Sequence, residues 1–357
     1  MPRSSAIGAR SIGTLVGMGA FILTLHVLGW GTMLTLVVPQ QLQLGASQVF
    51  GLGLGVTAYT LGMRHAFDAD HIAAIDNATR KQLAEGGRPL SVGFWFSLGH
   101  STIVFVLVAL LAAGVGTLAG QVADDSSLLQ QFTGLFGTVV SGVFLLVIGL
   151  VNLIVLAGLI KVFARLRSGR FDEAELEAQL QQRGPLARMT GRATELVTKP
   201  WHMYPVGLLF GLGFDTATEI GLLVIVGGAA AVALPWYAIL TLPVLFAAGM
   251  CLLDTLDGAL MFHVYGWASA RPVRKVFYNL TVTGLSVAVA FGIGGIELAG
   301  VLADRLGITS GPLAVIASVE MGELGYLVVA LFLVTWLVAV AVWKLGRVEE
   351  RWSSRTT

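Results

Sequence analysis

The stretch Leu61-Gly62-Met63-Arg64-His65-Ala66-Phe67-Asp68-Ala69-Asp70-His71-Ile72 sets Arg64, His65, Asp68, Asp70 and His71 into a long apolar run. One Arg or Asp at the centre of a lipid-spanning helix costs about 2.5–3.5 kcal/mol, so Arg64, Asp68 and Asp70 together cost about 8–10 kcal/mol against lipid. They are expected to face the interior of a helix bundle, where pairing or a bound cation offsets that cost. Arg64 and Asp68 stand four residues apart, the spacing of a salt bridge along one helix face. His65, Asp70 and His71 resist that reading, because at 100° per residue they project from a regular helix at about 0°, 140° and 240°. Two resolutions are open: the three serve different partners, or the helix unwinds after Gly62 so that side chains and backbone groups converge, as in discontinuous transporter helices. Imidazole with carboxylate is a borderline ligand set, suited to nickel, cobalt or zinc and poor for potassium or magnesium.

Lipid as the surroundings follows from the rest of the chain. Its 357 residues are 55% hydrophobic and only 12% charged, with a mean hydropathy of +0.81, far from soluble-domain usage. The expected fold is an all-α polytopic membrane protein. Apolar segments of about 20 residues, the length a bilayer core requires, occur at residues 11–38, 47–75, 90–118, 132–163, 203–232, 235–262, 276–302 and 322–344, which gives about eight spans. Arg3 and Arg10 precede the first of these as in a signal peptide, but its apolar run is too long and no small-residue cleavage site follows, so it is expected to remain as a helix. The chain then divides into an N-terminal membrane half (1–164), a cytoplasmic linker (165–202), a C-terminal membrane half (203–346) and a cytoplasmic tail (347–357). The linker carries Phe171-Asp-Glu-Ala-Glu-Leu-Glu-Ala-Gln-Leu, which reads as a surface amphipathic helix without a His or Cys cluster.

Orientation follows from the loop charges, since Lys and Arg stay on the cytoplasmic side of short loops. Of the 22 Lys and Arg residues, all but Arg64 and Arg305 fall on one side of the eight-span arrangement, in the segments before the first span and after the second, fourth, sixth and eighth. Both termini are thus expected in the cytoplasm, with the chain in the inner membrane. A single cysteine, Cys251, excludes an intrachain disulfide framework and a thiolate cluster, so any metal chemistry must use His, Asp and Glu. There is no basic arm for nucleic acid and no Gly-rich Lys-Ser/Thr loop for nucleotide, and no cofactor is implied. Nothing in the sequence bears on oligomeric state.

Further polar side chains sit within the spans. Asp215 and Glu219 are four apart and Asp254 and Asp257 three apart, so each pair shares a helix face. They read either as oxygen ligands of a cation path or as partners for interior hydroxyls and Arg64. His100 is flanked by Ser97, Ser101 and Thr102, and His26 lies in the first span, where lining the site and simple packing are both open. His202 and His263 fall near predicted membrane edges and read as interfacial.

Arg64-His-Ala-Phe-Asp-Ala-Asp-His71 resembles the second-helix signature of the nickel/cobalt transporter family (NiCoT), in which His65, Asp70 and His71 match the metal-binding positions. Phe96-Ser-Leu-Gly-His-Ser-Thr resembles that family's third-helix motif, Leu212-Gly-Phe-Asp-Thr-Ala-Thr-Glu-Ile its fifth and Gly249-Met-Cys-Leu-Leu-Asp-Thr-Leu-Asp-Gly its sixth. Four motifs in order over some 200 residues imply eight helices, cytoplasmic termini and uptake of a divalent metal ion. On this reading the metal residues are His65, Asp70, His71, His100, Asp215, Glu219, Asp254 and Asp257, with His26 as a further candidate, and the partners are a divalent transition-metal ion and the lipid bilayer. Phe67-Asp-Ala-Asp-His-Ile also aligns, with one gap, to Phe214-Asp-Thr-Ala-Thr-Glu-Ile in an oppositely directed span, which suggests an inverted repeat of helices 2–4 and 5–7.

Other classes fit less well. His65 and Asp70 have the His-x4-Asp spacing of membrane acyltransferases, but no sizeable non-membrane catalytic domain or glycerol-phosphate motif accompanies it, and six His residues are too few for a di-iron oxidase. Export rather than import remains open, because a passageway does not reveal direction.

Overall fold

The computed structural model describes residues 9–44, 48–112, 128–167, 197–212, 234–268, 272–319 and 321–345. In lipid every backbone donor and acceptor must be satisfied within its own segment, so the apolar runs form helices. They are α1 (Ala9–Thr32), α2 (Leu52–His65), α3 (Ala69–Ala84), α4 (Val92–Ala112), α5 (Leu128–Arg167), α6 (Met203–Gly211), α7 (Trp236–Ala268), α8 (Pro272–Leu306), α9 (Pro312–Ala317) and α10 (Met321–Leu345). Among the described residues five stretches are long and apolar enough to cross a membrane: Ser11–Gln40, Val92–Leu110, Leu135–Gly158, Trp236–Tyr265 and Thr283–Leu306. The chain is an all-α membrane protein with several spans.

Two departures from the sequence reading concern the segment opened by the first loop. In a short antiparallel hairpin, β1 (Leu42–Leu44) pairs with β2 (Gln48–Phe50), and β2 occupies the start of what reads as the second span. The remainder of that span is not one helix. It stops at His65 and restarts at Ala69, with Asp68 extended at φ −63° and ψ 143°. The break lies three residues beyond the Gly62 position expected for it, because the backbone after Gly62 still closes a helical bond from Ala66 N–H to Gly62 C=O.

The chain folds as two compact units that interleave along the sequence: residues 1–66, 90–140 and 203–256 in one, and 67–89, 141–202 and 257–357 in the other. The core of the first gathers Met33, Phe50, Leu242, Leu245, Phe246 and Met250. Within it α4 and α6 cross at glycines: a Cβ on Gly99 would strike the Tyr204 carbonyl, and one on Gly207 would strike the Phe96 carbonyl. Only backbone-to-backbone approach of this kind lets helices pack so closely in lipid.

The second unit is built around polar contacts. Asn152 of α5 donates to Asn77 Oδ1 of α3 at 2.7 Å, and Arg80 reaches Thr283 Oγ1 of α8 at 3.2 Å. Arg80 also pairs with Asp76 at 3.2 Å, stacks over the Tyr265 ring at 3.8 Å, and shares Asp76 with the Tyr265 hydroxyl. The loop-charge reading sets Arg80 and Lys81 in the segment after the second span. They lie in α3, 7% and 2% exposed, and Lys81 donates to the distant Val197 carbonyl at 3.0 Å and to Glu85, one turn on, at 3.3 Å.

Candidate metal centre

The motif residues of the second span fall on the two sides of the helix break, and each side is described within its own unit. In the first unit, His65 is the last residue of α2 and half-buried, while His100 sits in α4 and is 3% exposed. Their Nε2 atoms lie 3.2 Å apart and their rings meet edge to face, with centroids 4.8 Å apart. The Phe246 ring lies 5.9 Å from His65 and the Phe210 ring 5.1 Å from Phe96, so the pair is set among aromatic walls. Two neutral imidazoles at this distance share one proton donor between them, and both nitrogens turn to the same cation when one lies between them. Histidines 35 residues apart in sequence thus converge on one point.

Arg64, expected to face the bundle interior, is exposed in the last turn of α2. A cation there stands at the negative end of the helix dipole, which is the local reason it does not need burial.

In the second unit, Asp70 lies in the first turn of α3 and its Oδ1 accepts the His71 backbone N–H at 2.9 Å. This satisfies one of the orphan donors left by the break and places a carboxylate at the positive end of the new helix. The His71 side chain is fully buried. The break itself is held by α10: a Cβ on Gly325 would collide with the Phe67 carbonyl, and the Phe67 ring stacks on Tyr326 with centroids 5.6 Å apart. The interruption removes the splayed projection that a regular helix would impose on these residues.

The other expected site residues are placed as follows. Asp254 is fully buried in α7 and Asp257 is half-buried one turn on. One turn before Asp254, Cys251 accepts a hydrogen bond from Ser97 Oγ at 3.2 Å, which joins the sixth-span motif to the third-span motif in the first unit. Asp215 and Glu219 lie outside the described residues. Both ring nitrogens of His26 have protein partners, Nδ1 the Ile22 carbonyl at 2.8 Å and Nε2 the Tyr59 hydroxyl at 3.2 Å. His202 Nδ1 accepts the Thr198 N–H at 3.3 Å, and His263 is exposed with Nδ1 on the Ala259 carbonyl at 2.7 Å.

Sequence reasoning passed over Asp76, Tyr265, Glu297 and Ser141. Asp76 carried a usable signal, since it stands four residues before Arg80 on the same helix. Glu297 carried a weaker one, a lone acid in an apolar span, and its tie to Ser141 Oγ at 3.0 Å joins residues 156 apart.

Comparison with known proteins shows the family. Residues 51–342 match the family described as high-affinity nickel-transport protein, NicO. The chain is 59% identical over 343 residues to the nickel transporter NicT of Mycobacterium tuberculosis, covering 95% of this chain and 92% of that one. It is 47% identical to the nickel transporter NixA of Staphylococcus aureus, over 94% and 95% of the two chains. It is also 42% identical to the cobalt transport protein NhlF of Rhodococcus rhodochrous, over 80% of each. No solved structure matches. The chain belongs to the NicO family of high-affinity nickel-transport proteins.

Proposed function

We propose that this chain is a permease that takes up nickel, cobalt or both across the cytoplasmic membrane, with the cation handed through His65, His100, Asp70 and His71 at the broken second span. The observation that carries the reading is the convergence of the His65 and His100 Nε2 atoms, 3.2 Å apart, directly before a helix break whose far side opens with Asp70 and His71. A divalent ion leaves water only where strong ligands replace its hydration shell, and a broken helix supplies both side chains and unpaired backbone groups inside a bundle. Asp254 and Asp257, with Asp215 and Glu219, supply oxygen ligands further along the path. His26, engaged at both nitrogens, supports Tyr59 at its rim. No cofactor or nucleotide is required: a divalent cation moving inward gains roughly 4.6 kcal/mol at 100 mV, enough for a gradient of about three orders of magnitude.

In this reading the chain crosses the membrane eight times with both termini in the cytoplasm. The order is membrane half 1–164, linker 165–202, membrane half 203–346 and tail 347–357, and helices 2–4 and 5–7 form an inverted repeat. Nickel and cobalt accept the same ligands, and the relatives named for each metal leave both in scope. Radiometal uptake into cells expressing the chain, with nickel and cobalt in competition, tests the reading. Uptake of either ion above the empty-vector level supports it, and increased metal tolerance with faster efflux contradicts it in favour of export.

A further inference from the structure

The second unit contains an acid that belongs to none of the sequence motifs. Glu297 lies in the apolar stretch Thr283–Leu306 of α8, at a depth where an ionisable group is costly and calls for a partner. One of its carboxyl oxygens accepts the Ser141 hydroxyl of α5 at 3.0 Å, while Oε2 is buried and has no hydrogen-bond partner among the described residues. α3 runs antiparallel to α8, with Arg80 at Thr283 and Asn77 near Ser286, and this register brings the start of α3 to within about one helical turn of Glu297. Asp70 there lies within electrostatic reach of the Glu297 carboxyl group.

A plain helix-to-helix tie does not explain this geometry. Ser141 needs a single acceptor oxygen, which a glutamine or asparagine provides without placing a second acid beside Asp70. Two carboxylates within electrostatic reach of one another in a low-dielectric interior raise each other's energy. A divalent cation shared between them reverses the sign of that interaction and uses the remaining oxygen. We propose that Glu297, oriented by Ser141, is a further ligand on the cation path and takes up the metal ion together with Asp70. The assignment rests on the transport reading above and places an oxygen donor of α8 beside Asp70 within the second unit.

The test uses the full-length chain purified in detergent, with nickel chloride as probe, alongside radionickel uptake in cells. Glu297→Gln, which keeps the shape and the Ser141 bond, is expected to weaken nickel binding and raise the half-saturating concentration for uptake by about tenfold or more. Its melting temperature without nickel should stay at the parent value, and the rise in melting temperature on adding nickel should shrink. Glu297→Asp is expected to retain part of the affinity, and Ser141→Ala to lose about threefold. Nickel binding by Glu297→Gln within about twofold of the parent overturns the proposal and leaves Glu297 a structural tie. Should that variant fail to accumulate, Glu297→Asp and Ser141→Ala decide, and parental affinity in both overturns it. A parent chain that neither binds nor imports nickel or cobalt removes the transport reading itself and this assignment with it. That result is distinct from a binding parent with an unaffected Gln variant.

Discussion

His65 and His71 are six residues apart, yet one ends a helix and the other lies in the first turn of the next, so each backbone is held by a different helix. The same stretch continues into Asp76 and Arg80, whose pairing shows how a charged residue is carried inside this protein. Arg80 meets a carboxylate, a hydroxyl and an aromatic face, so its charge is compensated on several sides. Removing one partner of such a buried pair leaves the other uncompensated, at a cost of about 3–5 kcal/mol. Arg80→Met is therefore expected to lower the thermal unfolding midpoint in detergent by many degrees. The double variant Arg80→Met/Asp76→Leu should recover much of the loss. A single variant as stable as the parent would show that the pair contributes nothing to the second unit.

Among the elements, the interrupted second span decides the site. No glycine or proline lies at Ala66, Phe67 or Asp68, so the break comes from packing and not from local propensity. Gly325 of α10 supplies the room for it, since any side chain there meets the Phe67 carbonyl. Gly325→Val is expected to displace the Ala66–Asp68 segment and reduce nickel uptake severely, with Gly325→Ala intermediate; parental uptake by both would mean that α10 does not hold the break. Five of the expected spans match long apolar helices among the described residues, because lipid demands about 20 apolar residues per crossing and little else looks like that. The break was half-legible, through the mismatch between helical periodicity and three ligand-type residues. The burial of Arg80 and Lys81 was not legible, for a hydropathy window sees a charge but not Thr283, Tyr265 or Val197, which lie far along the chain. Glu297 was missed for the same reason.

For the whole molecule, the proposed path is tested through the loops and the acid pairs. The loop charges other than Arg80 and Lys81 still favour cytoplasmic termini. Reporter fusions after Arg88, within residues 165–200, after Lys275 and at the C-terminus are expected to read cytoplasmic, and those near Gln43, Asp124 and Asp304 periplasmic. A periplasmic signal from the 165–200 segment would reverse the orientation. Asp215→Asn and Asp257→Asn are expected to impair radionickel uptake at normal membrane abundance, whereas parental uptake would return these acids to a packing role. The central claim is that the cation is bound by the imidazoles and the carboxylate flanking the break. Its most direct measurement is nickel and cobalt binding to detergent-purified His65→Ala, His71→Ala and Asp70→Asn variants, paired with uptake in cells. Each variant is predicted to lose high-affinity binding and uptake while remaining folded, since deleting one ligand of a few-coordinate site leaves the remaining buried charges uncompensated. Parental affinity in both His variants would contradict the account and place the metal elsewhere in the protein.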